Sequence, residues 1–334
     1  MGFYIEMINV GQGDSFLLTL DDEKGNEAFV LIDGGNKDKE DNIIKHIMDY
    51  AGGHIQLVIG THIDDDHIGG LIKVVDVLKV DKLILNTPGN FDKWLSIRNY
   101  LKRFVKVASL SKLEKGIAAA NELLETAQRK NIPVEHAYQG RIWNCGEITL
   151  EVLSPTEERL QNAWAEKILE DISDLQKNTN RQFWVEAGIQ APPTTESNDA
   201  SIILELRHKG NPHALLTGDA GANVIKEATK GKTYPFLKVP HHGSKTGLDE
   251  ELIKQLSPNT AYIPVGENQH GHPNIEILDL LRNQGARTFC SEKTKDCRKE
   301  CINKKFIVLC HYIDKPLRAG WNTVDPFDCK NNPK

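Results

Sequence analysis

Apolar and polar positions alternate along Phe3–Val10, as in a strand with one face buried, and Gly11-Gln12-Gly13-Asp14 breaks the run before a second apolar stretch, Phe16–Leu20. A polar turn over residues 21–26 leads to a third run, Ala28–Ile32, closed by Asp33-Gly34-Gly35. The period then changes. Ile43, Ile44, Ile47 and Met48 recur at helical spacing, and Gln56–Gly60 reads as a fully buried strand. Residues 71–78 predict a helix and Lys82–Leu85 a short strand. A helical, locally basic stretch covers 91–130, a strand returns at Ile148–Leu153, and a second helical stretch runs over 157–190 into the Pro192-Pro193 loop. Strands then follow at Ser201–Leu206, Ala214–Thr217, Phe236–Val239, Ala261–Val265, Ala286–Cys290 and Phe306–Tyr312, with helices at Ala222–Thr229 and Asn274–Asn283. Antiparallel strands followed by alternating strand and helix predict a layered α/β fold, with 91–130 and 157–190 as helical insertions.

One segment carries concentrated chemistry. Gly60-Thr61-His62-Ile63-Asp64-Asp65-Asp66-His67-Ile68-Gly69-Gly70 follows a buried strand and precedes a helix. In an extended segment residues i and i+2 share a face, so His62 and Asp64 converge, while Asp66 and His67 reach a neighbouring position from the helix start. Two imidazoles and two carboxylates so spaced suit a pair of divalent ions; a helix cap needs one acid and leaves the histidines unexplained. Further ligands are expected past later strands, from Thr217-Gly218-Asp219 and from His241-His242-Gly243-Ser244.

In this order, Gly11-Gln12-Gly13-Asp14-Ser15, Ile32-Asp33-Gly34-Gly35, His62–His67, Thr217-Gly218-Asp219, His241-His242-Gly243-Ser244 and Gly271-His272-Pro273 resemble the motifs of metallo-β-lactamase-fold hydrolases. Within them the chain looks like the ComEC-type branch, whose best-known member domain belongs to the competence DNA-uptake protein. The resemblance covers roughly residues 1–86, 148–156 and 197–290 and implies a four-layer αββα sandwich; with the helical insertions the domain is expected over residues 1–313, with a tail at 314–334. It implies His62, Asp64, Asp66, His67 and Asp219 as metal ligands, with either His241 or His242 completing the set. Asp64 stands where most of the superfamily has histidine, and no third-motif histidine occurs near Ser197-Asn198-Asp199. An oxygen-rich set shifts preference from zinc toward manganese or magnesium. Two divalent ions activating a water imply phosphodiester hydrolysis, with Asp66 orienting the nucleophile and His272 protonating the leaving oxygen or binding phosphate. Lys238, Ser244, Lys245 and Thr246 are expected at the phosphate.

Composition adjusts this picture. The 334 residues are 39% hydrophobic and 26% charged, with no apolar run long enough to span a bilayer. A net charge of -6 argues against coating nucleic acid by bulk charge, leaving a local groove as the way to bind it. Lys93, Arg98, Lys102, Arg103, Lys106, Lys112 and Lys115, interleaved with Phe91, Trp94, Tyr100 and Phe104, offer such a surface. DNA is therefore the favoured substrate; a small phosphoester or lactone is the alternative, and a non-catalytic metal-bearing subunit of a multi-protein system, such as a defence complex, is the third. No secretory leader is recognised at the start, so a cytoplasmic setting and reduced thiols are expected. Cys290, Cys297, Cys301 and Cys310, in a hairpin over 290–311, form a candidate structural zinc site.

Overall fold

A computed structural model describes residues 2–87, 111–163, 197–292, 294 and 308–313. Its described strands build two large sheets. The first contains β1 (Phe3–Ile8), β2 (Phe16–Asp21), β3 (Glu27–Ile32), β5 (Leu57–Gly60), β7 (Leu83–Leu85), β8 (Val134–Glu135) and β16 (Val308–Ile313), in the order β16-β1-β2-β3-β5-β7-β8. The second contains β9 (Ile142–Cys145), β10 (Ile148–Ser154), β11 (Ile203–His208), β12 (Asn211–Leu216), β13 (Phe236–Lys238), β14 (Thr260–Ile263) and β15 (Arg287–Cys290), ordered β15-β14-β13-β12-β11-β10-β9. A small parallel pair joins β4 (His54–Ile55) and β6 (Lys79–Val80). Each large sheet is antiparallel on one side and parallel on the other: β3, β5, β7 and β8 run parallel in the first, β12 to β15 in the second.

Three apolar clusters show the layering. Phe3, Ile5, Phe16, Ile59, Leu204, Leu216 and Phe236 pack between the sheets. Outside the first sheet, Leu17, Leu31 and Val58 meet α1 (Glu40–Ala51), α2 (Asp65–Ile68), α3 (Leu71–Val77) and α4 (Ser111–Arg129). Outside the second, Ile203, Leu215 and Leu237 meet α5 (Ala222–Thr229), α6 (Glu250–Leu256) and α7 (Ile275–Asn283). Helix, sheet, sheet, helix is the αββα sandwich expected from the motifs. Alternation places Phe3, Ile5 and Met7 of β1 on the inner face and leaves Glu6 pointing outward, where its carboxylate meets His46 of α1 at 2.9 Å. Within the two helical insertions, Ser111–Arg129 and residues 157–163 are helical. The basic residues 93–106, the stretch 164–196 and the tail 314–334 lie outside the described residues.

The parallel halves position the site. Chains leaving parallel strands at their carboxyl ends open a crevice there, and the loops after β3, β5, β12 and β13 all exit at that end. These loops carry Asp33, His62, Asp219 and His242.

Candidate metal centre

The loop after β5 and the short α2 hold His62, Asp64, Asp66 and His67 where the sequence predicts them. Their backbone is clamped by neighbouring motifs. Asp14 donates its N–H to Asp66 O at 3.2 Å, and Gly34 donates to His67 O at 2.6 Å. These approaches need glycine: a Cβ on Gly13 would lie 2.2 Å from Asp66 O, and one on Gly70 would lie 2.1 Å from Gly34 O. The three glycine-rich motifs thus interlock around one loop. On the outer side, α4 comes equally close, since a Cβ on Gly116 would lie 2.7 Å from Ile63 O.

Asp14, His67, Asp219 and His242, all buried, offer four ligand atoms within 4.8 Å of one another. Their hydrogen bonds fix which ring atoms are available. His67 Nδ1 lies 2.8 Å from Asp33 Oδ2, and Asp33 also accepts from the Thr61 N–H at 2.8 Å and the Thr61 hydroxyl at 2.7 Å. His242 Nδ1 lies 2.9 Å from Pro264 O. A carbonyl and a carboxylate only accept, so each Nδ1 carries a proton, and Nε2 is the atom that could give a lone pair to a metal once its own proton is displaced. His67 Nε2 faces Asp219 Oδ2 at 3.3 Å; His242 Nε2 faces Asp66 Oδ2 at 3.2 Å and Asp219 Oδ2 at 3.7 Å. Asp14 approaches from the opposite side, 3.7 Å from His67 Nδ1 and 3.4 Å from His242 Nδ1. The convergence point is therefore Nε2 of both rings with Asp66 and Asp219, and Asp14 sits behind it.

His62 stands beside this group, its ring centroid 4.1 Å from that of His67. Its Nδ1 has the Thr61 hydroxyl at 3.1 Å and the Ser201 hydroxyl at 3.4 Å. Its Nε2, that of His67, Asp14 Oδ1 and Asp219 Oδ1 are buried without a hydrogen-bond partner. Orphaned buried polar atoms are costly, and His67 Nε2, in the group of converging ligand atoms, fits a cation that would satisfy it. Asp64 is the most open of these acids, with its Oδ2 3.9 Å from His62 Nε2.

Electrostatics follow from this crowding. Burial, with the neighbouring His67 charge, lowers the His62 pKa to about 4, so its ring is neutral. For His67 burial acts in the same sense, yet Asp219, Asp14 and Asp33 outweigh it and raise the ring well above its ordinary value. Burial also opposes the charge on Asp66 and Asp219, but His242 and His67 hold both carboxyls below their usual range. Imidazoles and carboxylates thus hold one another charged through protons that a divalent ion would displace.

Between the two adjacent histidines, His242 enters the cluster. His241 turns outward, with its Nδ1 3.4 Å from both Asn198 Nδ2 and Thr246 Oγ1, and its ring centroid lies 5.5 Å from that of His272. Both residues of the pair have positive φ, 48° and 53°, a turn that non-glycine residues adopt at some cost. His272 lies at the mouth with Nδ1 unpartnered, and burial plus His241 and His242 lower its pKa to about 4. Ser244 bonds Thr246, and Lys245 forms an exposed ion pair with Glu276 at 2.7 Å. Lys238 departs from its expected place at a phosphate. It is 1% exposed, and its ammonium contacts Asp14, Gly218 O at 2.6 Å and Asp219 Oδ1 at 3.5 Å. An inward-facing position on the central strand β13 leaves it no route to solvent.

In the sequence Asp14 and Asp33 stand out only as parts of glycine motifs. The signal that flagged Asp219, an acid just past a buried strand, applies equally to Asp33. Of the four cysteines expected to bind zinc, Cys297 and Cys301 lie outside the described residues. Cys290 packs in the apolar layer beneath α7 and Cys310 lies on β16 of the other sheet; among the described residues neither joins a group of three metal-binding side chains.

Residues 8–106 match the family model of the Metallo-beta-lactamase superfamily. That match takes in the glycine motifs and the His62–His67 loop. Over 309 residues, 86% of its length, it is 25% identical to ComE operon protein 3 of Bacillus subtilis (strain 168), in keeping with the ComEC-type branch. Over 91 residues, 26% of its length, it is 37% identical to Recombination protein 2 of Haemophilus influenzae. The chain spans 32% and 11% of these relatives, respectively. Among solved structures it is similar to Igni18, a metallo hydrolase from Ignicoccus hospitalis, with TM-score 0.44 and 12% identity over 86% of this chain and 94% of that one. It is also similar to the metallo-beta-lactamase fold protein YhfI from Bacillus subtilis, with TM-score 0.42 and 11% identity over 92% and 99%. The chain has a metallo-hydrolase fold with a buried His/Asp cluster suited to a divalent metal. No helix among the described residues is long and apolar enough to cross a membrane.

Proposed function

We propose that this protein is a metal-dependent phosphodiesterase acting on DNA. The observation that carries the metal chemistry is the convergence of two Nε2 atoms, their rings fixed by Asp33 and Pro264 O, on Asp66 and Asp219. DNA is favoured by the motif resemblance to the ComEC-type branch and by a relative called Recombination protein 2. His67, His242, Asp66 and Asp219 would hold one divalent ion; His62, Asp64 and a shared Asp219 would hold a second. The carboxylates favour manganese, with zinc or magnesium as alternatives. Ions held there supply Lewis acidity and an activated water for in-line displacement at phosphorus.

The chain's own groups divide the remaining work. Asp66, kept ionised by His242 and His67, accepts a hydrogen bond from the attacking water and orients it. His272 is neutral at pH 7, so it serves the leaving oxygen as a hydrogen-bond donor, not as a protonated acid. Ser244, Thr246 and Lys245 line the same mouth and would meet the non-bridging phosphate oxygens. We assign this activity to a unit spanning residues 1–313 working in the cytoplasm. The basic residues 93–106 would form the nucleic-acid groove, and a protein partner in a multi-component system fits the helical insertions.

The test uses protein reconstituted with Mn²⁺, Zn²⁺ or Mg²⁺ and assayed on linear and circular DNA, on RNA and on bis-p-nitrophenyl phosphate. DNA cleavage that disappears in Asp66→Ala is the expected result. Turnover of the small ester alone would replace DNA with a small-molecule substrate, and no turnover with any metal would overturn the enzymatic reading.

A further inference from the structure

Among the described residues, Lys238 is the lysine whose ammonium is buried inside the centre. Its three contacts are Asp14, the Gly218 carbonyl and, at 3.5 Å, Asp219 Oδ1. The ammonium is thus held by one hydrogen bond to a carbonyl and by ion pairs with two carboxylates, the one to Asp219 being the longer. Asp14 and Lys238 are 2% and 1% exposed. A buried carboxylate needs a cation, and in this arrangement Lys238 supplies it.

The contacts also divide Asp219 between two tasks. Oδ1 is turned toward Lys238, while Oδ2 faces Nε2 of His67 and of His242. Asp14 is drawn to the far side of the same rings, near their Nδ1 atoms. Without the ammonium, three buried acids, Asp14, Asp33 and Asp219, and the half-buried Asp66 would surround two imidazoles, and Asp14 would turn toward any metal that entered.

We propose that Lys238 is the resident cation of this centre: a positioning residue that keeps Asp14 out of the metal's coordination shell and presents a single oxygen of Asp219 to it. This rests on the metal-centre reading above and deepens it. Removing the lysine should release Asp14 as an extra ligand and remove a like charge from beside the metal, so metal binds more tightly. Removing Asp14 should leave the ammonium to lean on Asp219 and compete with the metal, so it binds more weakly. The two single substitutions therefore act in opposite directions, which a merely structural pair would not do.

The experiment is a double-mutant cycle on Mn²⁺ affinity, measured by calorimetry on metal-stripped protein, with bound metal counted by elemental analysis. Lys238→Met should tighten Mn²⁺ binding about tenfold, Asp14→Asn should weaken it about tenfold, and the charge-balanced double variant should return to within about threefold of the parent. Circular dichroism and melting curves establish folding for each variant. If Lys238→Met fails to fold, Asp14→Asn and the double variant carry the test, since the second must recover what the first loses. Weakening in both single variants, or no change in either, overturns the proposal. A parent protein that takes up no Mn²⁺ would instead overturn the metal-centre reading, so the two failures are distinguishable.

Discussion

Two of the histidine clusters among the described residues differ in what surrounds them. At the carboxyl end of the parallel strands, His67 and His242 sit among Asp33, Asp66, Asp14 and Asp219. Between the sheets, His213 of β12 and His311 of β16 bring their Nε2 atoms to 3.1 Å, flanked by Phe3 and Phe236. Burial acts on all four rings. Carboxylates reverse its effect on His67 and His242 and raise them, whereas His213 and His311 fall to about 4 by burial, with His208 the next contributor at His213 and His213 the next at His311. The second pair is neutral and shares one hydrogen bond; the first is a cation-seeking site. Paired imidazoles alone do not make a metal centre; acids on their Nε2 side do.

The contrast can be broken most sharply at Asp219. Asp219→Asn keeps the shape but removes the charge that faces both Nε2 atoms, and Mn²⁺ affinity should fall by more than about 100-fold, beyond the range usual for supporting residues. Calorimetry checks it, and near-parent affinity would place the metal elsewhere. A smaller effect is expected from Asp33→Asn. Asparagine tolerates the positive φ of 57° at this position but weakens the acceptor that fixes the His67 ring, and affinity should drop about 10–100-fold with little change in fold.

The smallest effect concerns the other cluster. His213 and His311 have folded pKa values below the ordinary 6.5, so their contribution to stability is present above that value and lost as pH falls from 6.5 toward about 4. His311→Phe should flatten part of this acid-side loss of melting temperature while leaving Mn²⁺ affinity at neutral pH unchanged. A steeper loss in the variant would show that the pair is not held neutral.

Much of the layering was legible in the sequence because periodicity is a local property. The helix Ala222–Thr229 lies where its spacing predicts, and β1, β2 and β3 begin and end within two residues of the predicted runs. Residues 250–256 show the limit. Asp249 caps this helix by accepting from Leu252 N–H at 2.8 Å, a signal present in Asp249-Glu250-Glu251 but overshadowed by the adjacent His-His motif. Val134–Glu135 and Ile142–Cys145 were not called as strands, since a two-residue strand and a half-exposed sheet edge leave too little apolar pattern to read.

At the centre the division is similar. The His62–His67 loop, Asp219 and the His-His pair were visible as residue types placed just past buried strands. The choice of His242 over His241 was not, because it depends on two successive residues adopting positive φ and on Pro264 O lying behind one ring. Nor was the place of Lys238. In sequence a lysine before Val239-Pro240-His241-His242 reads as a phosphate contact; only the packing of β13 in the middle of the second sheet turns its ammonium inward to Asp14, a residue 224 positions earlier by the numbering.

The sequence by itself determined the motif order, the layer order and most of the side chains able to hold a metal, because strand period, glycine placement and residue chemistry are written locally. The tertiary structure decided which atoms of those side chains meet. Tautomers are set by acceptors from distant loops, and a buried charge must be matched by whatever the fold places beside it. Such pairings are properties of converging strand ends, and they exist only once both sheets have closed over the site.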